Sequence, residues 1–277
     1  MAEVFYGTRS PAESDSDSLR RMIDWIHNQT LLPADGWILL LALFGAMCIG
    51  LSKSGLAGTA TLNVVIMAKI FDAKPSVGIV LPMLIVADLM GYLINRKGGS
   101  WKQIVPMIPA AVVGVIAGWL LLDRVDNGTA RVVIGVLILA LLAFNVVLNR
   151  RREQLLALTR DRTFTWGMGG IAGISTMLAN AAGPVMTVYL LAQRLEKKEH
   201  LGVFCRFFLF INLFKLPFSG SLGIVTGPSL MTNLVLLPGV IAGIVLGWLL
   251  LKRMPQDAFE SILAWLTAFA AVWLIVG

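Results

Sequence analysis

The feature that most limits what this chain can become is a succession of apolar segments, most of them 18–22 residues long. They run at about 37–50, 57–70, 76–94, 103–122, 131–148, 164–178, 181–193, 201–218, 230–251 and 258–277. A helix rising 1.5 Å per residue needs about 20 residues to cross a hydrocarbon core of about 30 Å. The expected fold is therefore an all-α polytopic membrane protein. Composition agrees, with 57% hydrophobic and 14% charged residues, against about 45–50% and about 25% in soluble domains. The net charge of +7 does not point to nucleic acid, because Lys and Arg sit in short loops between apolar segments, as topology signals do. Residues 1–35 form a polar tail without the apolar core of a cleaved signal peptide. Within it Leu19, Met22, Ile23 and Ile26 recur at helical spacing opposite Arg20, Arg21 and Asp24, which reads as a short interfacial helix.

Four segments are too short to span. The pairs 37–50/57–70 and 164–178/181–193 have members of about 14 residues, roughly 21 Å of helix each. The first pair is broken by Leu51-Ser52-Lys53-Ser54-Gly55-Leu56-Ala57-Gly58, the second by Asn180-Ala181-Ala182-Gly183-Pro184. Irregular backbone at membrane depth survives only when protein covers it or it lines a cavity. Ser52 or Ser54 is expected to cap the helix starting near Gly55, and Asn180 the helix starting at Pro184.

An internal repeat relates the two pairs. Gly114-x-x-x-Gly118-Trp119-Leu120-Leu121-Leu122-x-Arg124 returns as Gly243-x-x-x-Gly247-Trp248-Leu249-Leu250-Leu251-x-Arg253, and Gly58 and Gly78 correspond to Gly183 and Gly202. The expected organisation is a first transmembrane repeat at 36–150, a basic cytoplasmic linker at 151–163 and a second repeat at 164–277. If each short pair enters and leaves on one side, the loops at 95–102, 149–163, 194–200 and 252–257 share a face and carry most of the positive charge. The positive-inside rule favours that arrangement. Each repeat then has a re-entrant-like hairpin plus three spanning helices, the repeats are inverted, and both termini lie outside. Inverted repeats with interrupted helices at matching places point to a midplane substrate site in a secondary transporter.

Candidate site residues follow from position. Ser52, Lys53, Ser54, Gly55 and Gly58 stand at the first break, and Asn180, Gly183 and Pro184 at the second. Helix starts there favour an anion through unpaired N–H groups and the dipole. A midplane lysine marks function by default, with pairing to an acid or snorkelling as the plain alternative. Segment 201–218 adds Arg206, Asn212 and Lys215. Arg206 and Lys215 are nine residues apart and point oppositely on a straight helix, so Arg206 and Asn212 are ranked above Lys215. Asp88, the one deeply placed carboxylate, is a candidate proton carrier or a counter-ion, and corresponds to Asn212 in the repeat. The glycine pairs read as helix-packing faces. Cys48 and Cys205 fit no metal spacing, so neither metal nor cofactor is expected, and no motif for hydrolysis or phosphate binding is present. One carboxylate against Lys53, Arg206 and Lys215 argues for an anion rather than a cation, and no buried acid pair, histidine or cysteine nucleophile supports an enzyme.

The stretch Leu51–Gly58 resembles the first motif of the sulfite exporter TauE/SafE family. Gly183-Pro184-Val185-Met186-Thr187-Val188-Tyr189-Leu190-Leu191 is similar to its second-half counterpart, as is Arg206 followed by Asn212 and Lys215. The likeness spans about 36–277, and Cys205-Arg206-Phe207 departs from the small or hydroxyl residues usual around this arginine. The resemblance implies a multi-pass bacterial inner-membrane protein that moves sulfite or a small organosulfonate, commonly outward and with the proton gradient. The residues alone leave open uptake of another small anion, or an uncoupled anion channel.

Overall fold

The computed structural model describes residues 28–33, 35–56, 58–150, 161–193 and 195–250, with 265, 268–269 and 271–276. The interfacial helix expected near Leu19, residues 151–160 of the linker and most of the last apolar segment lie outside the described residues. Those described are helical, with no strand among them.

Helix α1, Gly36–Lys53, starts where the Asp35 side chain accepts from the Trp37 N–H at 2.9 Å. It does not stop near residue 50 as the polar residues imply. Ser52 Oγ donates back to the Ile49 carbonyl at 2.7 Å, so the hydroxyl is satisfied inside the helix and the turn continues. At 18 residues α1 is long enough to span. The break comes at Ser54 and Gly55, whose φ of 111° suits glycine. Helix α2, Thr59–Ile70, follows and is short. Neither serine caps it. Gly58 stands at its N-cap without a side-chain bond, and Thr59 Oγ1 instead ties its start to the Cys48 and Leu56 carbonyls, both at 2.8 Å.

Helix α3, Ala73–Asn95, leads through two 3₁₀ turns, Trp101–Gln103 and Val105–Met107, into α4, Ile108–Arg124, and α5, Asn127–Arg150. The second half repeats the order. Helix α6, Arg162–Ala179, is capped by Asp161 and has the same 18 residues as α1. Helix α7, Gly183–Ala192, is short, and α8, Lys197–Ser221, and α9, Gly227–Leu250, are long. In each pair only the second member is short, which corrects the sequence estimate. Asn180 is not the cap of α7 but the left-handed C-cap of α6, with φ 52° and its N–H on the Ser175 and Thr176 carbonyls.

Six of the described helices are long and apolar enough to cross a membrane. Outward residues such as Val113, Val136, Leu234, Val245 and Trp248 are large, apolar and exposed, as a lipid-facing surface requires and a soluble surface would not tolerate. Inside, the repeated glycine motif plays the same part twice. A Cβ on Gly114 of α4 would stand 2.3 Å from the Gly170 carbonyl of α6, and one on Gly243 of α9 would stand 2.1 Å from the Met47 carbonyl of α1. Each copy thus lets its helix press on the broken helix of the other half, while α3 and α8 pack against each other. The two halves are interlocked, and both breaks are carried to the interior beside α3 and α8.

Candidate functional site

The first break delivers Lys53 as the last residue of α1, the end where a helix dipole favours a cation. Its stem runs past Gly91 of α3. A Cβ there would lie in ordinary contact with Lys53 Cβ at 3.7 Å but only 2.7 Å from Cys205 Sγ, so a side chain at 91 would crowd Cys205. One turn earlier on the same helix stands Asp88. Lys53 Nζ is 2.7 Å from Asp88 Oδ1, and both side chains are buried, at 4% and 0% exposure. Asn212 of α8 donates Nδ2–H to Asp88 Oδ2 at 2.7 Å. The Lys53 ammonium also lies over the ring of Phe208, 4.4 Å from its centroid, and 5.5 Å from that of Phe204. Cation–π attraction is strongest where water is excluded.

The second break delivers oxygens instead. The left-handed turn at Asn180 leaves the Thr176 carbonyl and the Asn180 side chain facing inward. Lys215 of α8 donates to Thr176 O at 2.6 Å, Thr176 Oγ1 at 3.1 Å and Asn180 Oδ1 at 2.6 Å. Asn180 Nδ2 in turn donates to the Val77 carbonyl of α3 at 2.9 Å. Between the breaks lies a cavity of about 10 Å³, lined by Ser52, Lys53, Ala60, Leu84, Thr176, Asn180, Gly183, Phe204, Phe208 and Asn212. That is close to the smallest space that holds one water. The cavity is too small for an anion such as sulfite, and it lies between a lysine paired with a carboxylate and a lysine held by three neutral oxygens.

A model of the family described as sulfite exporter TauE/SafE matches residues 39–274. The chain belongs to the sulfite exporter TauE/SafE family. Membership makes it a multi-pass membrane transport protein of a family of anion exporters, not of enzymes. No curated protein sequence and no solved structure matches the chain at a significant level.

In this TauE/SafE protein the structure brings Ser52, Lys53, Asn180, Gly183 and Asn212 to one cavity, with Asp88 held by Lys53 and Asn212 and Lys215 held by Asn180. Arg206 is not among them. It donates from Nη2 to the Arg96 carbonyl at 2.7 Å and from Nη1 to the Gly98 carbonyl, with its guanidinium carbon 5.3 Å from the Tyr92 ring centroid. It therefore holds the loop after α3, at the edge of the bundle. The ranking of Arg206 above Lys215 is reversed. The two do point oppositely, but the one facing inward is Lys215, because Arg206 near the start of α8 finds acceptors in the loop after α3. Ser54 Oγ donates to the Ile244 carbonyl at 3.0 Å and the Gly50 carbonyl at 3.3 Å, joining α1 to α9. Gly55, Gly58 and Pro184 shape the breaks and do not line the cavity. Sequence reasoning missed Thr176, Phe204 and Phe208. Their signal is spacing, since 204, 208, 212 and 215 fall on one helical face and Thr176 lies one turn before Asn180.

Proposed function

We propose that this protein is a proton-coupled secondary transporter of sulfite or a small organosulfonate, working by alternating access between two inverted halves in a bacterial inner membrane. The observation that supports this reading best is the buried contact of Lys53 Nζ with Asp88 Oδ1 at 2.7 Å, placed where α1 breaks. A buried ion pair is a weak source of stability and a sensitive device, because losing one partner leaves the other charge uncompensated. While Asp88 is ionised it occupies Lys53. A proton on Asp88 frees the ammonium for the sulfonate or sulfite oxygens, with Ser52, Asn212 and the start of α7 at Gly183 as further partners. Anion and proton then occupy the site together and leave together. The cavity leaves room for about one water beside that exchange, and opening it to either side moves the short helices α2 and α7. Both termini lie on the outer side in this reading, and the loops rich in Lys and Arg face the cytoplasm.

Export is the direction the family points to. It runs here on the anion's own outward gradient and carries a proton with it. Uptake is the second reading, favoured by the shared use of Lys53. A site that binds anion and proton together is driven inward by an inward proton gradient. Flux of sulfite and sulfonates into and out of proteoliposomes, under proton gradients of each sign, tests both. Saturable flux that follows the gradient supports coupling, and non-saturating flux blind to it identifies a channel. Unaltered flux in Lys53→Ala overturns the site.

A further inference from the structure

Lys215 is the most deeply buried cation in the described structure, with 0% exposure in the last third of α8. Among the described residues it nevertheless has no carboxylate in contact. Both oxygens of Asp88 are taken, one by Lys53 and one by Asn212. What Lys215 has is a set of three oxygens, one for each N–H of its ammonium. One is the Thr176 carbonyl in the last turn of α6, where the dipole is negative; it already accepts from the Asn180 N–H at 3.0 Å and gives Lys215 its second lone pair. The others are the Thr176 hydroxyl and the Asn180 amide oxygen, presented by the left-handed turn that ends the helix.

Broken helices in transporters use such carbonyl ends to coordinate a dissociable cation. Here the equivalent charge is covalently attached to a neighbouring helix. The first half has no counterpart, since Gly91 stands where the repeat would place a second lysine. The end of α1 is closed instead by its own backbone and by the Thr59 hydroxyl. We infer that Lys215 is a tethered resident cation filling a three-oxygen cation site at the end of α6, so that the break between α6 and α7 holds its shape without a bound alkali ion. Through Asn180 and the Val77 carbonyl the same site fixes α6 to α3. Lys215 is in this sense a positioning residue, distinct from Lys53, whose ammonium is the one left to exchange partners.

The inference concerns cation occupancy and is read by thermal stability, so it stands or falls separately from the identity of the transported anion. Wild-type full-length protein in detergent should show the same melting temperature in sodium, potassium and choline chloride at equal ionic strength. Lys215→Ala should melt lower in choline and recover part of the loss with sodium or methylammonium, which can enter the vacated site. Flux in proteoliposomes should fall in choline and recover in part with methylammonium. Lys53→Ala serves as the contrast and should gain nothing from either cation. Should Lys215→Ala fail to fold, Lys215→Met, which keeps the stem without the charge, is measured in the same salts. A wild type whose stability depends on sodium, or a folded position-215 variant indifferent to all these cations, would overturn the inference.

Discussion

The two breaks have the same architecture and opposite chemistry. At the first, α1 ends in Lys53 and presents a cation to Asp88 on α3. At the second, α6 ends in Asn180 and presents oxygens to Lys215 on α8. The first break closes itself, with Thr59 Oγ1 on the Cys48 and Leu56 carbonyls. The second is closed by a side chain from another helix. Similar helix breaks with differently divided charges leave one lysine held by three neutral oxygens and one held by a single carboxylate. In the proposed mechanism, that difference assigns the exchange of partners to Lys53.

Breaking the first side of that contrast should have the largest effect. Lys53→Ala leaves Asp88 without its counter-ion in the interior, a change that destabilises by about 3–5 kcal/mol, and it should abolish saturable anion flux. Melting temperature and proteoliposome uptake measure the two losses. Arg206→Gln lies outside both breaks and removes the charge-assisted bonds to the Arg96 and Gly98 carbonyls. It should cost about 1.5–3 kcal/mol in thermal stability while leaving the dependence of flux on anion concentration unchanged. A changed KM would return Arg206 to the site.

Asn180→Ala breaks the second side, removing one acceptor of Lys215 and the bond to Val77 O. A loss of about 1–3 kcal/mol is expected, with flux slowed more than anion affinity is weakened. Thr59→Val should be the mildest, about 0.5–1.5 kcal/mol, because the backbone of the first break keeps its own bonds. If Thr59→Val proved as damaging as Asn180→Ala, the contrast between a self-closed and an externally closed break would fail.

Much of this was legible in the chain. Apolar length gave the membrane helices, and the doubled Gly-x-x-x-Gly motif marked the surfaces that press on α6 and α1. Polar interruptions located both breaks and, with Asp88 and Asn212, most of the site. What could not be read was local. Ser52 bonding back to Ile49 O extends α1 through a stretch that looked like its end. The φ of 52° at Asn180 turns an expected helix start into a helix stop. The choice between Arg206 and Lys215 depends on where acceptors lie in the loop after α3 and at the end of α6, and no spacing within α8 contains that information.

The central claim is that Asp88 and the transported anion compete for Lys53. Asp88→Asn removes the competitor while keeping the shape of the protonated acid. The most direct measurement is anion affinity and flux in this variant across external pH, beside wild type. The account predicts tighter anion binding and flux that no longer follows an imposed proton gradient. Weaker binding, or flux still driven by the gradient as in wild type, would contradict it.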